Sequence, residues 1–176
     1  MDAVEASTVV YLPPEEVYEF LVDFPRYANY SEHITEVRQY GEGKTGTKYD
    51  LVFAWWKLSY TARSEVTALD PPTRIDWELI KDVDAHGHWT VEHTPEKAPD
   101  DEPDASEVRL RVEFNPDSAN KDAIDLPALV SLDWVIKKVT PKIEAEARNI
   151  VRRIVADLEG EERPVDVAIH TAPDSM

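Results

Sequence analysis

The feature that most constrains this chain is a long run of segments in which apolar and polar residues alternate. Between residues 34 and 114 the alternation recurs in six segments, separated by short polar or proline-containing connections. Successive side chains of a β-strand point to opposite faces, so this pattern predicts strands with one apolar face and one hydrated face. Strands of this kind joined by short turns are typical of an antiparallel meander.

The apolar positions of these segments predict which side chains face inward. In the third segment they alternate from residue 58 to residue 68, ending with Val66 and Ala68, and Ser64 is a polar exception. Across the sheet we expect the inward face to carry Phe53, Tyr60, Trp77, Leu79, Trp89, Val91 and Phe114. These side chains are either a filled core or the lining of an apolar pocket in which Tyr and Trp offer polar groups.

A strand and two short helical segments are predicted before the meander. Residues 5–12 are rich in β-branched residues, and the two prolines that follow end this strand. Pro14 suits the first turn of a helix, and Glu15 and Glu16 favour its positive end. Pro25 ends the helix, and residues 26–31 form a second short turn or helix.

A long amphipathic helix is predicted after the meander. Residues 127–159 carry an apolar residue every three or four positions, and at 1.5 Å per residue they would extend roughly 50 Å. Pro141 should kink or break this helix, and Gly160 should cap it. The sequence therefore predicts an α+β domain over residues 1–160, with a curved antiparallel sheet of about seven strands around a long C-terminal helix. A flexible tail is expected over 161–176, in which 165–169 are able to add an edge strand.

Charge excludes several classes of partner. The chain has 36 acidic and 19 basic residues, a net charge of −17, yet its five Trp, seven Tyr and four Phe show that it folds. Nucleic acids and anionic membranes require clustered Lys and Arg, so neither is expected as a partner. A halophilic host explains the acidity most simply, and an acidic docking surface for a basic protein is the alternative.

The location follows from other features of composition. There is no cysteine, no apolar stretch approaches the length needed to span a bilayer, and the first residues lack the pattern of a signal peptide. We therefore expect a cytoplasmic protein without integral membrane association.

Three local segments resemble a known superfamily. Residues 13–27 (PPEEVYEFLVDFPRY) resemble its first helix and aromatic exit, residues 66–75 (VTALDPPTRI) its central hairpin, and residues 87–92 (GHWTVE) the strand that follows. In this order they resemble the START-like, or SRPBCC, helix-grip proteins, which include polyketide cyclases, coenzyme-Q-binding proteins and lipid-transfer domains. The resemblance covers about residues 3–159, and the acidic segment 95–106 departs from it. It implies a fold and an internal pocket but transfers no catalytic residue.

The expected function is to bind, and to carry, a hydrophobic small molecule such as a lipid, an isoprenoid quinone or a polyketide-like ring. The pocket lining would include Asp133 and Ile136 of the long helix beside the residues of the inward sheet face. One alternative is a cyclase or aromatase in which Tyr60, Asp133 or a pocket histidine acts as acid or base. Another is a protein-interaction module with a vestigial pocket.

No cofactor and no metal site are predicted. His86 and His88 point to one sheet face whereas His93 points to the other, so solvated histidines explain them better than a metal. No nucleophile motif or glycine-rich phosphate loop is present.

Ligand entry requires a mobile segment. The candidates are residues 24–31, the hairpin at Trp55 and Trp56, the loop 115–126, and a hinge at Pro141. Val130 and Trp134 offer apolar surface away from the main stripe of the helix, which suits either the moving segment or a homodimer contact.

Overall fold

The structure is a computed structural model that describes residues 2–55, 58–115, 118 and 132–171, without the side chains of residues 55 and 132–144. Its strands are β1 (Asp2–Val10), β2 (Ile34–Tyr40), β3 (Lys48–Trp55), β4 (Leu58–Asp70), β5 (Arg74–Leu79), β6 (Asp84–His93), β7 (Ser106–Asn115) and β8 (Ala168–Thr171). Its helices are α1 (Pro14–Val22) and α2 (Leu132–Glu159), with 3-10 helices η1 (Phe24–Asn29) and η2 (Pro95–Lys97).

The eight strands form one curved antiparallel sheet in the order β2-β3-β4-β5-β6-β7-β1-β8. Strands β2 to β7 are a meander in which each strand pairs with the next, and β1 closes the series by pairing with β7. The predicted α+β fold with a long C-terminal helix is confirmed. The eighth strand lies on the outside of β1, in the region where the sequence allowed an additional edge strand.

The ends of both α-helices follow the expected local chemistry. Pro14 occupies the first turn of α1, where a missing N–H costs nothing, and Glu15 and Glu16 follow it. At the end of α2, Gly160 has φ 83° and donates its N–H to the carbonyl of Ala156 at 2.9 Å. The break expected at Pro141 does not occur, because α2 continues through this residue.

A bulge in β4 corrects the predicted face of one residue. The register with β5 shifts between Val66 and Ala68, so that Leu69 rather than Ala68 lies opposite Ile75. A bulge inserts one residue and moves the following side chains to the other face. Ala68 is accordingly exposed, whereas Leu69 packs against the core.

The hydrophobic core lies between one face of the sheet and the helices. Helix α1 contributes side chains such as Val17 and Phe20, η1 contributes Phe24, and the C-terminal part of α2 contributes Val155, which is 1% exposed. These elements cover part of the concave face of the sheet.

Charged side chains cover the opposite, convex face. The carboxylate of Glu5 accepts hydrogen bonds from Arg109 at 2.6 Å and from Arg111 at 2.8 Å, and these bonds join β1 to β7. The chain of ion pairs continues from Arg109 to Glu107 and from Arg111 to Glu113. Charges of opposite sign thus alternate across neighbouring strands, and this face is hydrated as the alternation predicted.

The connection that contains the acidic segment 95–106 is anchored at its ends. The N–H of Thr94 donates to the carbonyl of Ala105 at 2.9 Å, and Lys97 forms an ion pair with Glu107 at 2.6 Å. Thr94 and Ala105 are 3% and 0% exposed. The ends of this connection are therefore part of the folded domain.

Candidate functional site

The concave face divides into two halves along the strands. The packed half contains Val10, Tyr49, Val66, Ile75, Val91 and Val108, all of which are buried in the core. The open half contains Phe53, Tyr60, Trp77, Leu79, Val112 and Phe114, none of which is fully buried. Strand pairing places the two sets on the same face, because residues directly opposite each other on neighbouring strands point to the same side of the sheet. Phe53 lies opposite Tyr60, Ile75 lies opposite Trp89, and Phe114 lies opposite both Asp2 and Ala85.

The packed half is filled by aromatic side chains. The ring of Phe24 lies 4.6 Å from that of Tyr49, and Phe20 meets Tyr30 edge to face at 5.5 Å. Two of the tyrosine hydroxyl groups have hydrogen-bond partners, since Tyr30 donates to Asp157 and Tyr27 donates to the carbonyl of Leu21. Burial raises the pKa of Tyr27 far above its ordinary value. This half therefore has the character of a closed core.

The open half has an aromatic floor that depends on a glycine. A Cβ atom added at Gly87 would lie 2.6 Å from Cζ2 of Trp77 and 2.5 Å from the carbonyl oxygen of Arg111. Gly87 pairs with Trp77 across the β5–β6 ladder, so the indole lies close to the backbone of β6. Glycine within a strand often marks such a close approach.

Tyr60 supplies a hydroxyl group to the open half. Burial is the main cause that raises the pKa of this phenol, and the negative charge of Asp82 adds to it. The hydroxyl is consequently protonated at neutral pH and available as a hydrogen-bond donor. Ser64 lies further along the same strand, 4% exposed, between Tyr49 and Leu79.

Asp82 occupies an unusual turn at the same end of the sheet. The N–H of Val83 donates to the carbonyl of Lys81 at 2.9 Å, which makes Asp82 the central residue of a three-residue γ-turn. Its φ is 72°, a left-handed value that L-residues adopt only at an energetic cost. Its Oδ2 atom is buried and accepts no hydrogen bond from any residue that the structure describes. The Nζ atom of Lys81 lies 3.6 Å from Oδ2.

The structure brings together most of the residues predicted to line a pocket. All seven predicted sheet residues share the concave face, and Phe53, Tyr60, Trp77, Leu79 and Phe114 lie together in the open half. Val91 lies in the packed half at 3% exposure, and Trp89 packs against the core beside it.

Several predicted features fall outside the described residues. The side chains of Asp133 and Ile136 are among them, as are Val130 and the side chain of Trp134. The β3–β4 hairpin is present because Trp55 pairs with Leu58, but Trp56 and the side chain of Trp55 also lie outside the described part. Of the loop 115–126, only Asn115 and Ser118 are described.

The sequence reasoning missed Gly87 as a determinant of the site, and it missed Asp82 altogether. A glycine opposite a tryptophan in a pattern of alternating strands was the available signal for the first. The segment 80–83 (IKDV) contains no glycine or asparagine, and its single aspartate is too weak a signal to predict a residue with positive φ.

Two histidines of β6 contact carboxylates, one on each face of the sheet. His86 pairs with Glu113 at 2.8 Å, and His93 pairs with Asp104. Burial lowers the pKa of His88, and the nearby charge of Arg74 lowers it further. Over the described ranges, no group of three or more His, Asp or Glu side chains is arranged to hold a metal ion.

A second concavity lies outside the sheet, between α2 and the segment that follows it. It is an open cleft of about 820 Å³, lined by Asn149, Arg152, Arg153, Ala156, Glu162, Arg163, Pro164 and Val165. Arg163 is held by Glu159 at 2.7 Å and stacks on Tyr11, and Arg153 donates to the carbonyl of Tyr30. Its lining mixes polar and apolar groups, and Arg152 donates to Asn149 as well, so all three of its guanidinium groups have partners and it does not resemble the apolar open half.

Comparison with known proteins decides the family. The family described as "Polyketide cyclase / dehydrase and lipid transport" matches residues 1–155. The chain belongs to this family. Lipids and polyketides are both hydrophobic small molecules, so the family supports a fold of the hydrophobic-ligand-binding kind. The resemblance of three local segments to START-like helix-grip proteins is thereby confirmed.

Solved structures share the fold at low sequence identity. The Zhui aromatase/cyclase from Streptomyces sp. R1128 matches with a TM-score of 0.61 and 18% identity, over 89% of this chain and 93% of that one. A START superfamily protein from Mycobacterium smegmatis matches with a TM-score of 0.60 and 14% identity, over 90% of this chain and 99% of that one. The protein TTHA0849 from Thermus thermophilus matches with a TM-score of 0.57 and 15% identity, over 90% of this chain and 97% of that one. These matches establish the fold alone.

The curated proteins contain no match to this chain. In the part of the chain that the structure describes, no helix has the combined length and apolar character that crossing a bilayer requires.

Proposed function

We propose that this protein binds and carries a hydrophobic small molecule, such as a lipid, an isoprenoid quinone or a polyketide-like ring, on the open half of its concave face. The observation that carries the proposal is the incomplete burial of aromatic side chains on an inward face. Phe53 is 36% exposed, and Tyr60, Trp77 and Phe114 are only partly buried, whereas side chains two to six residues away on the same strands are in the core. An apolar ligand is the natural partner for such a surface.

The energetics suit a ligand of modest size. Removing apolar surface from water contributes roughly 25 cal/mol per Å², so covering about 200 Å² contributes about 5 kcal/mol before the cost of ordering the ligand. Phe53, Trp77 and Phe114 are large enough to provide such an area. The family description, which names lipid transport and polyketide chemistry, supports this class of ligand.

Acid–base chemistry on such a ligand is the second candidate function. The protonated hydroxyl of Tyr60, held beside the charge of Asp82, is suited to donate a proton or a hydrogen bond to a ligand carbonyl. One neighbour in fold is an aromatase/cyclase, which makes this alternative specific. A Tyr60→Phe variant that binds ligand normally but loses turnover of a polyketide-like substrate would favour it over carriage.

Extraction of the purified protein with organic solvent, followed by mass spectrometry, tests the main proposal. We expect an apolar molecule to be recovered reproducibly from the wild-type protein and to be depleted from Trp77→Ala. The matched control is Tyr40→Ala, which removes an aromatic ring that is 49% exposed at the edge strand β2. Equal recovery from both variants would place the molecule elsewhere.

Absence of an extracted molecule does not end the test, because purification can strip a weak ligand. The same proteins are then titrated calorimetrically with 2-methoxynaphthalene, an apolar ring of suitable size. A wild-type protein that yields no molecule and binds no such probe contradicts the proposal.

A further inference from the structure

The turn between β5 and β6 combines two features that folded proteins usually avoid. Asp82 has a φ of 72° without being glycine, and its buried Oδ2 atom accepts no hydrogen bond from the described residues. Backbone strain of this kind destabilises a folded protein, and so does a buried polar atom without a hydrogen bond. The positive φ and the buried oxygen atom without a hydrogen bond occur at the same residue, and such features cluster at ligand-binding sites.

The position of the turn connects it to the open half. Strand β5 ends at Leu79, a residue of the open half, and the N–H of Ile80 continues the ladder by donating to the carbonyl of Arg63 at 2.9 Å. The charge of Asp82 reaches the phenol of Tyr60, also in the open half.

We infer that Asp82 is a ligand-anchoring residue, which accepts a hydrogen bond from a hydroxyl group at one end of an otherwise apolar ligand. This inference rests on the proposed function and specifies its ligand class. The apolar body covers the aromatic side chains of the open half, and the hydroxyl group reaches the turn. The ligand hydroxyl donates to Oδ2 of Asp82.

The neighbouring groups determine which polar ends are accepted. Asp82 offers an acceptor, and the protonated phenol of Tyr60, which lies on the same face of the sheet as Leu79, offers a donor. A hydroxyl group satisfies both. A carboxylate supplies only acceptors and would bring a second negative charge next to Asp82, and an ether lacks the donor. Lys81 lies at ion-pair distance from Asp82, but its side chain is 52% exposed and does not satisfy Oδ2 by a hydrogen bond.

Isothermal titration calorimetry at neutral pH with 2-naphthol and 2-methoxynaphthalene tests the inference, because the two probes share a ring system and differ in the donor. We expect the wild-type protein to bind 2-naphthol roughly tenfold or more tightly, the usual effect of a hydrogen bond to a charged group. Asp82→Gly should bind the two probes about equally, while its affinity for 2-methoxynaphthalene stays within about twofold of the wild-type value. Glycine adopts positive φ without strain, so this variant should also melt at a higher temperature.

Two further variants complete the design. Asp82→Asn keeps the size of the side chain and tolerates positive φ, but it loses the charge, so its preference for 2-naphthol should lie between those of wild type and Asp82→Gly. Asp84→Asn removes an equal charge from an exposed position two residues away and should keep the wild-type preference.

The outcomes separate this inference from the proposed function. If both probes bind the wild-type protein equally, or if Asp82→Gly keeps the preference for 2-naphthol, Asp82 does not anchor the ligand. The proposal that the open half binds an apolar ligand is unaffected by that result. A loss of melting temperature in Asp82→Gly would assign Asp82 a structural role and also overturn the anchor. If neither probe binds, the anchor is wrong, and the pocket is wrong as well if no molecule is extracted from the wild-type protein.

Discussion

The two halves of the concave face are built from the same strands, lie on the same side of the sheet and carry the same kinds of residue, yet they differ in burial. Ile75 is 0% exposed in the packed half, whereas Trp77, two residues further along β5, is only partly buried. The covering elements explain the difference, because α1, η1 and the C-terminal part of α2 fill the packed half. An inward apolar residue therefore becomes core or lining according to what packs above it.

Shortening one residue in each half tests most directly whether the two halves differ as core and ligand-binding surface. We expect Ile75→Ala to lower the free energy of unfolding by about 2–5 kcal/mol, because it leaves a cavity in a filled core. Binding of 2-methoxynaphthalene by the folded protein should change little. Denaturant titration and calorimetry measure the two quantities.

Trp77→Ala is the matched variant in the open half. It should weaken binding of the same probe by tenfold or more while destabilising the protein less than Ile75→Ala does. If the two variants lose similar stability and neither affects binding, both halves are core and the division is mistaken.

A second variant tests whether Gly87 sets the depth of the open half. Gly87→Ala would place a Cβ atom 2.5 Å from a backbone oxygen and 2.6 Å from the ring of Trp77, so one of them must move. We expect a loss of about 1–3 kcal/mol, a shift in tryptophan emission and weaker probe binding. His88→Ala, on the convex face of the same strand, is the control and should leave emission and binding unchanged. A Gly87→Ala protein with wild-type emission would show that Trp77 does not lie where the structure has it.

Salt should act on the whole molecule rather than on one half. The net charge of −17 repels itself, and raising KCl from about 0.1 M to 2 M shortens the screening length from ~10 Å to a few Å. We expect a gain on the order of 1 kcal/mol, or about 2–4 °C in Tm. The difference between Ile75→Ala and Trp77→Ala should persist at both concentrations. A Tm that falls with salt would mean that the ion pairs of the convex face outweigh the net repulsion.

The smallest expected effect concerns the convex face, which serves as a reference for the concave one. Hydrogen bonds from Arg109 and then Arg111 lower the pKa of Glu5. A carboxyl group whose pKa is lower in the folded state stabilises the protein above its unfolded pKa of about 4.3, and this stabilisation is lost as the pH falls towards the folded value. Glu5→Gln should therefore cost about 1 kcal/mol or less at pH 7, and the difference should shrink below about pH 4.

Stability curves of wild type and Glu5→Gln against pH measure this effect, and probe binding should be the same for both proteins. A difference that grows on acidification would contradict the assigned sign.

Short-range pattern in the sequence was enough for the sheet and its faces. Alternation placed Phe53, Tyr60, Trp77 and Phe114 on one side of the sheet, because side-chain direction in a strand is a local property of the backbone. The start of α1 at Pro14 and the end of α2 at Gly160 were also predictable, because each depends on residues close by in the chain. Where the local pattern was interrupted, the predicted face was wrong: the bulge near Thr67 moved Ala68 to the outside. Of the kink or break predicted at Pro141, the break did not occur, because α2 continues through this residue.

The fold class and the inward-facing apolar residues could be predicted from the chain alone, since both depend on periodicity along it. Only the tertiary structure decided which of those residues are core and which are partly exposed, because that depends on where α1 and the end of α2 lie above the curved sheet. It alone also placed Gly87 beneath Trp77 and gave Asp82 its turn conformation and buried oxygen. These contacts join strands and turns whose packing no local pattern encodes, so the shape of the site was not readable from the chain.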